Sequence, residues 1–126
     1  METATVINST RSRTLARAKL AVHRADRRRG LLGTASLPEG EGLLIEPCRS
    51  VHTMGMAYPI DVLFMAGDGR VVKAVRGLRP GRITRPVLAA RMALELPAGT
   101  IEASGTLTGD RLEFVPPAAP IDSPSD

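Results

Sequence analysis

Cys48, His52, Thr53, Asp61 and Glu95 form the densest set of chemically versatile side chains in the chain. A cysteine followed closely by a histidine fits a nucleophilic thiolate with an imidazole base, since the thiolate is the attacking species and an adjacent imidazole lowers its pKa from about 8.5. Asp61 or Glu95 would then orient the imidazole. The same residues have plainer uses. A free cysteine commonly packs as a small buried hydrophobe. Asp61 shares a strand face with Leu63 and Met65, so its carboxylate needs donors such as His52, Thr53, Arg29 or backbone N–H groups.

His52-Thr53-Met54-Gly55-Met56 offers a second chemistry. If the segment is extended, His52, Met54 and Met56 project to one side, and imidazole plus thioethers near the Cys48 sulfur suit Cu(I). Methionines at alternate strand positions also simply fill irregular core space. There is 1 cysteine, and His23 lies far from His52 in sequence, so no zinc-type spacing exists. Neither a P-loop nor a dinucleotide-binding glycine fingerprint is present. The sequence therefore calls for no cofactor and no metal site.

Charge is concentrated rather than spread. Lys and Arg number 17 against 13 Asp and Glu, and the calculated pI is near 10.2. Residues 1–29 carry eight basic and two acidic side chains, while residues 30–126 are mildly acidic in balance. Within that body, Arg70 to Arg91 contains seven basic residues and no carboxylate, with Arg76, Arg79, Arg82 and Arg85 at intervals of three. In a polyproline-like backbone of three residues per turn these arginines would form a ladder on one face for phosphate or carboxylate groups, with Arg79 and Arg82 at its centre. Exposed charge of this kind is also often only a solvated surface, screened over about 8–10 Å. Nucleic acid is disfavoured as a partner, because single-strand binders stack bases on aromatic rings and this chain has only Tyr58, Phe64 and Phe114.

Short strands must position these residues. Thr3 to Asn8 reads as a strand or arm, and alternating apolar residues from Thr14 to Val22 read as a half-buried strand. Asp26 can cap a short helix through Leu32, with Gly33 as its left-handed stop. Leu43 to Ile45 reads as a buried strand ended by Pro47, and Val51 to Met56 as an extended segment stopping before Pro59. Ile60 to Met65 and Arg70 to Val75 flank Ala66-Gly67-Asp68-Gly69, a hairpin signal. Met92 to Leu96 and Leu112 to Val115 complete the set. The expectation is an α+β class, mainly antiparallel β, as one sheet or open barrel with one or two short helices.

Length sets the rest. At 126 residues the chain is one small domain, read here as an N-terminal arm over 1–11, a globular domain over 12–115 and a Pro-rich disordered tail over 116–126. Leu, Ile, Val and Phe supply about a quarter of the residues, enough for a core without disulfides. No signal-like leader is recognisable and the apolar runs are too short to span a bilayer, so the default compartment is the cytoplasm.

Arg29-Gly30-Leu31-Leu32-Gly33, Gly40-Glu41-Gly42-Leu43, Cys48 through Met56, Pro59 through Phe64, Asp68 through Val72 and Leu94 through Gly99, taken in order, resemble the bacterial and archaeal family catalogued as domain of unknown function 192. The resemblance covers residues 12–113 and implies a small, mainly β domain with no established activity. The positions matching its motifs are Arg29, Gly30, Leu31 and Gly33, then Cys48, His52, Thr53 and Met56, then Asp61, Glu95, Pro97, Gly99, Gly109 and Asp110. Similar sequences commonly carry an aromatic where this chain has Met54-Gly55, a substitution that speaks against a shared copper site. The expected function is a non-catalytic binding module for a small ligand or an extended partner segment. Its expected pocket joins His52, Thr53, Met54, Met56 and Asp61, with Arg29 near the mouth. A thiol enzyme built on Cys48 and His52, and a Cu(I)-handling protein built on His52, Met54 and Met56, are the alternatives.

Overall fold

A computed structural model describes residues 1–117, so all but the first two positions of the expected Pro-rich tail lie outside the described residues. Seven strands, β1 (Thr3–Asn8), β2 (Arg13–Ala21), β3 (Glu41–Ile45), β4 (Ile60–Met65), β5 (Val71–Leu78), β6 (Met92–Pro97) and β7 (Leu112–Val115), form one sheet in the order β5-β4-β6-β3-β2-β1-β7. All neighbouring pairs are antiparallel except β2 and β3, which run parallel. The segment read as a strand or arm is a strand of the sheet, since β1 pairs with β2 on one side and β7 on the other.

The sheet curls until its ends touch. At the start of β5, the N–H of Val71 donates to Asp110 O at 2.8 Å, and the N–H of Leu112 donates to Gly69 O at 2.9 Å. Gly69 makes this approach possible: its φ is 88°, and a Cβ there would lie 2.2 Å from the carbonyl oxygen of Leu112. The same glycine closes the β4–β5 hairpin that the Asp-Gly step predicts, with its N–H on Ala66 O at 2.9 Å. The result is a half-barrel stitched at one end.

Both faces of the central strands are covered, and side chains alternate between them. Toward the barrel interior pack Val6, Leu63, Met65, Leu94, Leu96, Ile101 and Leu112. On the outer face, Leu43, Ile45, Ile60, Val62, Phe64 and Ala93 pack beneath Leu31 and Val51 from the overlying connections. All six residues of β4 are consequently buried. Full burial of a side chain such as Phe64 stabilises by about 1.5–3 kcal/mol. On β6 the alternation puts Leu94 and Leu96 inside and leaves Ala93 and Glu95 on the outer face.

Two short helices complete the chain. The first, α1 (Arg24–Arg29), begins before the expected Asp26 cap, with His23 in the cap position making no side-chain bond. Asp26 instead sits in the first turn, where the helix dipole favours a carboxylate, and arginines fill the last turn. The second, α2 (Thr100–Ser104), has no apolar periodicity long enough to announce it and depends on its tertiary contacts. No helix among the described residues is long and apolar enough to cross a membrane.

Candidate functional site

The outer face of β6 carries Glu95, which is paired across the sheet with Leu43 on β3 and Val62 on β4. Its side chain is 3 % exposed. It lines a cavity of about 80 Å³ together with Cys48, Ser50, His52, Met56 and the basic residues Arg27, Arg28 and Arg29 of α1. At the roughly 30 Å³ a water occupies in the liquid, this is room for about two or three waters or a small head group. A more open cleft of about 820 Å³ beside α2 is lined by Arg13, Glu39 and Thr100, and its ionisable side chains are exposed.

Glu95 gives the smaller cavity its chemistry. No hydrogen bond from the described residues reaches the carboxyl, and burial pushes its pKa from 4.5 up to about 7. No buried side-chain oxygen or nitrogen sealed from solvent lacks a partner among the described residues. Glu95 escapes that condition because it opens on the cavity. At neutral pH such a group divides between its neutral and ionised forms, and can donate or accept accordingly.

Cys48 stands beside it, half-buried, with Sγ donating to Ser50 O at 3.2 Å. Burial pushes the thiol above its ordinary 9.0, and the negative charge of Glu95 adds to this, while the contact with Ser50 and the charge of Arg27 offset part of it. A thiol held this way is less nucleophilic at neutral pH than a free one. The structure thus brings Cys48, His52 and Glu95 to one cavity but without the lowered thiol pKa that an activated nucleophile needs.

The segment expected to be extended from Val51 to Met56 is a turn. After a single bridge between His52 and Ile83, the N–H of Met56 closes on Thr53 O at 3.1 Å, with Gly55 at φ 79°. Glycine at this position lets the chain reverse. His52 and Met56 line the cavity, whereas Met54 is 50 % exposed and lies outside it, so the three soft donors do not converge. Among the described residues no group of three or more His, Cys, Asp or Glu side chains is placed to hold a metal ion.

Thr53 and Asp61 are placed elsewhere. Thr53 is fully buried and staples the arginine loop: its hydroxyl donates to Arg79 O at 2.5 Å and accepts the N–H of Arg82 at 2.9 Å. Gly81, at φ 80°, turns the chain between those two residues and breaks the polyproline ladder, leaving Arg79 and Arg82 exposed and outside the cavity. Asp61 points to the opposite face of the sheet from Glu95. Its carboxylate accepts the N–H groups of Gly77 at 2.8 Å, Gly99 at 3.1 Å and Ile101 at 2.9 Å, tying β5 and the start of α2 to β4. The expected hollow shared by His52 and Asp61 is therefore replaced by one that holds His52 and Glu95.

Arg29 does lie in the cavity lining, joined by Arg27, Arg28 and Ser50, which sequence reasoning passed over. The run of three arginines after Asp26 was the available signal, since an amphipathic reading of so short a helix leaves its basic face unexplained.

The family model of domain of unknown function 192, described as an uncharacterized ACR, matches residues 5–114. The chain belongs to that family. The match begins within β1 and ends within β7, so it spans the whole curled sheet. An uncharacterised family member, the UPF0127 protein of Pyrococcus furiosus, is 40% identical over 65 residues, covering 52% of this chain and 55% of that protein. The chain thus spans about half the length of this curated relative. Two crystal structures share the fold. One, from Sinorhizobium meliloti 1021, is described as a "putative transcription regulator"; it is 28% identical, with TM-score 0.75 over 90% of this chain and 92% of that one. The other, a protein of unknown function from Novosphingobium aromaticivorans, is 22% identical, with TM-score 0.76 over 88% of this chain and 83% of its own.

Proposed function

We propose that this member of the domain of unknown function 192 family is a non-catalytic binding module whose cavity on the outer face of β6 takes the head group of a small ligand. The observation that carries this reading is Glu95: a residue 3 % exposed, whose carboxyl receives no hydrogen bond from the described residues and opens onto the cavity. A buried acid without a partner lowers stability, and such groups concentrate where a ligand supplies the missing contact. Small-ligand sites are concave, mostly apolar and carry a few convergent polar groups. The lining by Leu31, Ile45, Val51 and Met56 around Glu95, Ser50 and His52 has that composition. The raised pKa of Cys48 favours binding over thiol catalysis. The one thiol suits the reducing cytoplasm, where we place the protein.

The test is thermal denaturation of the wild type and of Glu95→Leu against a library of small polar compounds. A ligand at about 100 times its Kd stabilises by about 2.7 kcal/mol. The expected result is that one or more compounds raise the Tm of the wild type and leave Glu95→Leu unmoved. Compounds that shift both proteins equally, or none that shifts the wild type, contradict the proposal. Alkylation of Cys48 that is faster in the folded than in the denatured protein at pH 7 would instead support the thiol enzyme.

A further inference from the structure

The charges around the cavity narrow the class of ligand. At its inner wall is the carboxyl of Glu95. Along its rim stand Arg27, Arg28 and Arg29. None of the three takes part in an ion pair among the described residues, where the pairs join Arg11 to Asp110, Arg91 to Glu46 and Arg111 to Asp68. Arg27 donates to the carbonyl of Val22, whereas Arg28 and Arg29 are exposed. The charges of both Glu95 and Arg27 reach the Cys48 thiol in the cavity lining, yet no ion pair joins the acid to any of the three arginines. The cavity thus holds two opposite charges held apart.

Resting on the binding-module reading, we propose that the ligand is a small zwitterion, with a primary ammonium against Glu95 and a carboxylate, or an equivalent anion, against Arg28 and Arg29. A purely anionic ligand would meet the arginines but set a second negative charge near a buried carboxyl. A purely cationic one would satisfy Glu95 but pass a rim of like charge. A neutral amide offers the arginines a carbonyl but brings no charge to either end. Only a molecule carrying both charges a few atoms apart satisfies both ends, and planar guanidinium groups are well suited to hold a carboxylate. With about 80 Å³ available, the inner end admits an ammonium on a short methylene stem, with the anionic end at the mouth. Short amino acids are the simplest members of this class.

The experiment is calorimetric titration of the full chain at pH 8 with glycine, β-alanine, methylammonium, acetate and acetamide. The zwitterions are expected to bind about tenfold tighter than methylammonium, with acetate and acetamide giving no binding. Glu95→Gln should abolish binding of both zwitterions and methylammonium. The Arg28→Ala, Arg29→Ala double variant alters exposed positions only and should bring the zwitterions down to the affinity of methylammonium while methylammonium itself holds or tightens. Zwitterions that bind no better than methylammonium, acetate that binds as tightly as β-alanine, an inert double arginine variant, or no zwitterion binding at all would each overturn the proposal. Glu95-dependent binding of acetamide or acetate would do so while leaving the binding module standing. A library that protects nothing in the Glu95-dependent thermal assay would remove both.

Discussion

Asp61 and Glu95 are both buried carboxyls on adjacent strands of one sheet, exposed by 1 % and 3 %, yet they live in opposite conditions. Asp61 points to the end of the barrel interior and accepts three backbone N–H groups. Glu95, on the other face, receives no hydrogen bond from the described residues and has its pKa pushed up to about 7 by burial. The first is a fastening. It fixes the β5 backbone at Gly77 and the start of α2 to β4, so the fold depends on it. The second weakens the fold at neutral pH and opens on a cavity, which is how a binding group differs from a structural one.

Removing the fastening should have the larger effect. Asp61→Asn keeps the shape but sets an amide NH₂ against backbone donors, and each hydrogen bond to a charged group is worth about 1.5–3 kcal/mol. A loss of about 3 kcal/mol or more in urea denaturation is expected, a large share of the stability of a domain this size. A loss below 1 kcal/mol, taken here as about the value of one neutral hydrogen bond, would show that the three N–H groups do not need the carboxylate.

The opposite sign is expected at Glu95. Between its ordinary 4.5 and about 7, the folded protein holds a proton there that the unfolded chain has released, so stability falls as pH rises through this window. The total is about 3 kcal/mol. Cys48, His52 and Arg27 to Arg29 are the other titratable and charged groups that line the same cavity. Glu95→Gln should therefore be more stable than the wild type at pH 8 by up to about 3 kcal/mol, with the difference vanishing near pH 4. Chemical denaturation at both pH values checks this, and a destabilised variant at pH 8 would place Glu95 in the same class as Asp61.

Smaller effects sharpen the boundary between the two regions. Thr53→Val removes the hydroxyl that bridges Arg79 O and Arg82 N–H, and a cost of about 1–3 kcal/mol with faster amide exchange at Arg82 is expected. Its cavity-dependent binding should survive, since Thr53 does not line the cavity. Cys48 should react with iodoacetamide at pH 7 more slowly in the folded than in the denatured protein, because burial raises the pKa of the thiol.

Much of the fold was legible in local signals. The Asp-Gly hairpin, the alternation from Thr14 and the apolar Leu43 to Ile45 run each appear as strands where the sequence put them. What periodicity cannot express is which face of a strand meets which neighbour. Val51 to Met56 reads as an extended segment stopping before Pro59, but Gly55 takes a positive φ and the segment reverses. That reversal separates Met54 from Met56 and moves the site from the expected Asp61 to Glu95, two strands whose facing is settled only by the order of the sheet. The short α2 was invisible for a related reason, since five residues carry no pattern and Asp61 fixes the helix start from β4.

The protonation of one side chain separates a binding group from a structural one, and carboxyl carbon shifts of Glu95 followed through a pH titration by NMR report it directly. The expected midpoint is about 7 in the free protein, moving downward when β-alanine is bound. A midpoint at the usual 4.5, or one that β-alanine leaves in place while binding elsewhere, would contradict it.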